Sequence, residues 1–142
     1  MDEIKVDSHV LLIDRDATFQ YHDMFNERCG CSYCRNFFTG FAIHYPKTVQ
    51  LLKSFGIDIE YPLEIMEFGY VRDKINLLYS AHYAVKGMLP PEKVEFIRDG
   101  ATIICNSRAN AVYSNTAMSD PCFIVEIQNL YLPWLLNEPY PS

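Results

Sequence analysis

Residues 75–86, INLLYSAHYAVK, alternate without a break: Ile75, Leu77, Tyr79, Ala81, Tyr83 and Val85 fall on one side, and Asn76, Leu78, Ser80, His82, Ala84 and Lys86 on the other. A period of two with one apolar set is the pattern of a half-buried strand, the clearest in the chain. The chain must therefore build a sheet, and something must cover the side that carries Tyr79, Tyr83 and Val85. Every other element can be read by whether it extends that sheet or covers it.

Several segments extend it. PLEIMEFGYV precedes the strand across RDK, KVEFI and ATIIC flank the turn-forming RDG, and CFIVEIQNL puts Phe123, Val125 and Ile127 on one face. The short connections imply antiparallel pairing. At the other end of the chain, HVLLIDRDATFQYHDMF divides at DRDA into two apolar runs, which reads as an N-terminal β-hairpin of two short strands.

Two segments read as the cover. In CSYCRNFFTGFAIHY, Cys34, Phe37, Phe38, Phe41 and Tyr45 share one helical face, with Ser32 as the expected N-cap. Pro46 ends that helix and suits the first turn of another, PKTVQLLKSF, closed by Gly56. YLPWLLNEPYPS should leave the sheet at Pro133 and lay Trp134 over a core edge. The pieces assemble into an α+β fold: an antiparallel β-sheet with a two-helix layer on one face and an N-terminal β-hairpin preceding the helices. With no repeat or linker, residues 1–142 read as one domain, long enough to bury a core without staples.

Charge narrows the function classes. Twelve basic against eighteen acidic residues give a net charge of −6, which opposes nucleic-acid backbones and anionic membrane surfaces. Arg28, Arg35, Lys47 and Lys53 are too scattered to make a phosphate-binding stripe. No apolar run is long enough to span a bilayer. MDEIKVDSHV has neither the basic nor the apolar region of a secretory signal, so the expected location is cytoplasmic. The odd count of 5 cysteines fits a reducing compartment, where thiols stay free or bind metal.

The densest chemistry is ERCGCSYCRNFF. Cys29, Cys31 and Cys34 form a C-x-C-x-x-C run ahead of the first cover helix. Thiolates so close together are good ligands for zinc or an iron–sulfur cluster, but three are one short of a closed tetrahedral site. His22 is the nearest supplementary ligand, with Asp23, Cys105 and Cys122 as others at no diagnostic spacing. A second reading is redox: Cys31 and Cys34 make a C-x-x-C at a helix start, where the helix dipole favours thiolate and a disulfide can act as a switch. A third is packing, since Cys34 shares the stripe of Phe37 and Phe41 and a buried cysteine behaves as a small hydrophobe.

Other groups carry less. His22, His44 and His82 could each pair with a cysteine for nucleophilic catalysis, but His82 falls on the polar side of its strand and His44 near a helix end, where surface and capping roles are commoner. Asp14 and Asp16 flank Arg15 in a turn, where Asp serves the backbone. No phosphate loop, dinucleotide fingerprint, H-E-x-x-H helix or G-x-S-x-G elbow is present, so the usual sequence grounds for an enzyme are missing.

CGCSYCRNF before a helix, LLKSFGID and the terminal LPWLL resemble an arrangement in small bacterial proteins without assigned function. The resemblance implies a bacterial cytoplasmic origin and no ligand or catalytic residue. Two functional expectations remain. The first is a non-enzymatic binding or protein-interaction module presenting Tyr61, Tyr70, Tyr113 and Tyr131 to a protein partner, for which the acidity suits an immunity-protein-like role against a basic toxin. An open sheet edge also leaves room for a homo-oligomer. The second is a metal-binding or thiol-switch protein centred on the cysteine turn.

Overall fold

The computed structural model describes residues 1–25, 28–90 and 93–141. In chain order these hold β1 (Asp2–Val6), β2 (His9–Ile13), α1 (Arg15–Gln20) running into a 3-10 turn (Tyr21–Met24), α2 (Ser32–His44), α3 (Pro46–Ser54), β3 (Glu64–Tyr70), β4 (Asn76–Met88), β5 (Lys93–Arg98), β6 (Ala101–Ser107) and β7 (Cys122–Pro133). The seven strands make one antiparallel sheet in the order β1-β2-β4-β7-β6-β5, with β3 also paired to β4. None of the described helices is long and apolar enough to cross a membrane.

The alternating strand is the centre of this sheet. On one edge β4 pairs with β7 along almost its whole length. Its other edge is shared: β3 takes Leu77 to His82, and β2 takes Gly87 and Met88. Gly87 is needed at that second junction, because a Cβ there would stand 2.2 Å from the Leu12 carbonyl oxygen.

Leu77, Tyr79, Ala81, Tyr83 and Val85 all face the main core, as their period requires, against Phe37 and Phe41 of α2 and Val49 and Leu52 of α3. Phe123, Val125 and Ile127 of β7 join them, and then the phase slips, so that Leu130 and Leu132 point inward in place of Asn129 and Tyr131. The cause is a bulge opposite Tyr79 and Ala81, at which Asn129 adopts φ +62°.

Two corrections to the sequence reading arise here. A β-hairpin does precede the helices, but its strands are β1 and β2, turning at Asp7 and Ser8, and the stretch after DRDA is helical. Asp14 decides this: its side chain accepts the Ala17 N–H at 2.9 Å, making it the N-cap of α1 and not part of a turn between strands. The N-cap of α2 is Cys31, one residue before the expected Ser32, and no side chain caps that helix.

The helical pair is pinned to the sheet at its corner. Tyr45 lies between α2 and α3, and its hydroxyl accepts the Tyr131 N–H at 2.7 Å beside the β7 bulge. Pro46 opens α3 as expected, and Gly56, at φ +87°, lies just beyond its end. The free N–H groups of α3 receive their acceptor from the β5–β6 turn: Asp99 Oδ2 takes the Thr48 N–H at 2.8 Å, and Thr48 Oγ1 donates to the Arg98 carbonyl at 2.9 Å. A carboxylate at a helix start is also favoured by the helix dipole.

Asp99→Ala should therefore lower stability in urea unfolding by about 1–2 kcal/mol, the usual worth of such a cap. Asp99→Asn, which keeps an acceptor and tolerates the positive φ of 54° at this position, should lose less.

Candidate metal centre

The cysteine turn is built by the way α2 begins. Cys31 is extended, at φ −64° and ψ 160°, and its carbonyl accepts the Arg35 N–H at 3.0 Å to open the helix. Cys34 then lies one turn along, on the inward stripe. Arg35 turns back, its Nε donating to the Gly30 carbonyl at 3.0 Å while its guanidinium pairs with Glu138. That closure folds Cys29 toward the helix start. The three Sγ atoms lie within 4.8 Å of one another.

Exposure divides the three. Cys29 and Cys31 face solvent, whereas Cys34 is 8% exposed and packs as the stripe predicted. Burial pushes the Cys34 thiol up, and the neighbouring sulfurs add to that shift. Cys31 moves the other way. Its partial burial opposes ionisation, but the backbone N–H of Cys34, the thiols of Cys29 and Cys34 and the backbone N–H of Tyr33 outweigh that and hold it below the usual thiol range. The sulfur at the helix start, Cys31, is thus favoured as thiolate, with the Cys29 and Cys34 thiols directed at it.

A buried polar network holds the turn from below. Tyr79, on the core face of β4, donates its hydroxyl to the Tyr33 carbonyl at 3.1 Å, between Cys31 and Cys34. Asn36, 0% exposed, donates to Tyr79 Oη at 3.3 Å and to the Pro133 carbonyl at 3.1 Å, and accepts the Leu135 N–H at 2.6 Å. Burial raises the Tyr79 phenol, which keeps it a donor. Neither residue was identified as a site residue from the sequence. Tyr79 was legible as inward-facing, but a lone Asn on a helix reads as solvent-exposed unless its partners are known.

The other candidate residues lie elsewhere. His22 has Nε2 at 3.0 Å from Asp23 and Nδ1 at 3.5 Å from Asp58, and stacks on Tyr61. It is not one of the group that the sulfurs form. Cys105 is enclosed in the core, its thiol pushed up to about 12 by burial, and Cys122 sits between Arg108 and Asp120. His44 ends α2 on the surface. Asp14 and Asp16 belong to the first turn of α1. Of the four tyrosines proposed as a contact surface, Tyr70 and Tyr131 are exposed; Tyr61 packs on His22 and Phe25, and Tyr113 lies over His82.

His82 corrects the sequence reading. It does fall on the side of β4 away from the helices, but it is 1% exposed, not a surface residue. The segment between β6 and β7 covers it, tied down by the Arg108 guanidinium, which donates to the Thr116 and Met118 carbonyls at 2.6 and 3.0 Å. Both ring nitrogens lack a hydrogen-bond partner, although Glu64 and Glu126 stand opposite His82 on the neighbouring strands.

Comparison of the chain with protein-family models, with curated proteins and with solved structures finds no match. The site is therefore read from its own geometry.

Two predictions follow from these buried groups. Asn36→Leu strands the Leu135 N–H and the Pro133 carbonyl, and should cost about 2–4 kcal/mol in urea unfolding, more than its gain in apolar volume returns. Desolvation lowers the His82 pKa and outweighs the opposing pull of Glu126 and Glu64. The unfolded chain then binds the proton first as pH falls, so stability should be lost from about pH 6.5 downward and level off once the folded imidazole also protonates. His82→Leu should flatten the unfolding midpoint between pH 7 and 5 relative to the parent; an unchanged slope would contradict the assignment.

Proposed function

We propose that this protein binds one zinc ion through Cys29, Cys31 and Cys34. The observation that carries the reading is the convergence of all three sulfurs within 4.8 Å. Zinc–sulfur bonds of about 2.3 Å set tetrahedral sulfurs about 3.8 Å apart, so the turn needs only small side-chain rotations to take the ion. A soft trithiolate set favours zinc over hard cations such as magnesium or calcium. A bound cation would favour the thiolate form of all three sulfurs.

The redox reading uses only part of this geometry. A Cys31–Cys34 disulfide would leave Cys29 without a role, whereas a metal uses every sulfur in the turn. His22 stays outside the proposed ligand set, held by Asp23, Asp58 and Tyr61. The expected role remains a non-enzymatic one. Cys29 and Cys31 lie at the rim of the fold and only Cys34 is buried against it, so zinc here adds local order to the turn and does not create the fold.

Protein purified without added metal, under reducing conditions, should contain close to one zinc per chain by elemental analysis. Cys29→Ser and Cys31→Ser, both at exposed positions, should each lose the metal while keeping the native circular dichroism. Free zinc at about a hundred times its Kd should raise unfolding free energy by about 2.7 kcal/mol, and chelation should remove that increment without unfolding the chain. A metal-free protein in which Cys31 and Cys34 form a disulfide on mild oxidation, with Cys29→Ser making no difference, would favour the thiol switch instead.

A further inference from the structure

The cysteine turn abuts a cavity that the zinc reading does not use. Cys29 and Cys34 both line it, together with Phe38, Leu63, Ile65 and Arg28, around a volume of about 150 Å³. Among the described residues, the group of metal-ligating atoms at the turn comprises the three sulfurs alone. Tetrahedral zinc with three protein ligands keeps its fourth position for water or a substrate, and here a partly open recess adjoins two of the three ligands.

We propose that the fourth position of the cysteine-bound zinc opens into this cavity and takes the sulfur of a small thiol. The inference rests on the metal reading above. Three features select the ligand. The volume is below the roughly 300–1,000 Å³ of ordinary small-molecule pockets, which limits the occupant to a few heavy atoms. Phe38, Leu63 and Ile65 present apolar surface that suits a short hydrocarbon body. Arg28 lines the space as well, a cation that suits a ligand whose bound form is an anion.

A small thiol meets these terms. It enters uncharged, displaces the zinc-bound water, and releases its proton to solvent as the zinc–sulfur bond forms. No electrons are transferred. The thiolate so formed adds negative charge beside three others, and Arg28 is the cation in the cavity wall. Its guanidinium is held over the Phe38 and Tyr61 rings, 5.9 and 5.1 Å from their centroids, and by Glu60 Oε1 at 3.3 Å.

Cobalt substitution makes the site visible. The full chain, kept reduced with a phosphine and loaded with one Co²⁺, is titrated with 2-mercaptoethanol and, separately, with imidazole while sulfur-to-cobalt absorption is followed. The expected result is a saturable change with the thiol, weaker binding of imidazole, and cobalt that stays on the protein. Ile65→Trp, which adds bulk to the cavity wall, should weaken thiol binding about tenfold or more at unchanged cobalt stoichiometry. Arg28→Gln, at a half-exposed position that leaves the core intact, should weaken the thiol response and leave the imidazole response alone.

A spectrum indifferent to the thiol, imidazole bound as tightly as the thiol, or parental thiol affinity in both variants would each overturn the proposal while leaving the metal site standing. Failure of the parent chain to bind cobalt or zinc would remove the metal reading itself.

Discussion

The position of the sulfur turn depends on one buried contact, the hydrogen bond from the Tyr79 hydroxyl to the Tyr33 carbonyl at 3.1 Å. A helix beginning with no side-chain cap has loosely held first residues, and α2 begins that way. Tyr79 is fixed by its place on the central strand and Asn36 by three partners on two other segments, so the helix start is held from the sheet and not by its own sequence. Such a network is worth having only when every member is satisfied, since each orphaned polar group would cost about 1–3 kcal/mol. Here the carbonyl between Cys31 and Cys34 is one of the satisfied members, and the sulfurs inherit its position.

The same logic recurs along the helical pair. Its start is held by Asn36 and Tyr79, its corner by Tyr45 at the β7 bulge, and the beginning of α3 by Asp99 from the β5–β6 turn. In each case a polar atom reaches from one layer to a backbone group of another. Apolar burial supplies most of the adhesion between the layers but is non-directional, and would allow the helices to slide over the sheet. The polar contacts select one register from those that the apolar faces permit.

What could be read from the sequence divides along these lines. The alternation of residues 75–86, the stripe from Cys34 to Tyr45 and the Asp99–Gly100 turn are local patterns, and the central strand, α2 and the β5–β6 hairpin match them, except that Ile75 lies just before β4 and is exposed. The spacing of the three cysteines was legible too, but five extended residues could span about 17 Å, so their convergence also needs the Arg35 contacts to Gly30 and Glu138 that fold the turn back. Three features were not local. DRDA suits a tight turn or a helix start, and only the Asp14–Ala17 contact distinguishes them. The β7 phase slip follows from a bulge whose position depends on pairing with β4. His82 lies on the side that the alternation assigned, but its burial depends on a segment about thirty residues later crossing that face.

The two faces of β4 therefore bury different kinds of residue. The helical side is apolar apart from hydroxyls that find partners. The other side encloses an imidazole with none, at a position where leucine would cost no desolvation. The rest of the described chain satisfies its buried polar side chains almost completely; among them only the Nδ1 of His22 joins the two nitrogens of His82 in lacking a hydrogen bond, and that atom still lies 3.5 Å from an Asp58 oxygen. His82 is thus the one fully enclosed departure from a consistent design, under a covering segment held by Arg108 and opposite Glu64 and Glu126 on the neighbouring strands.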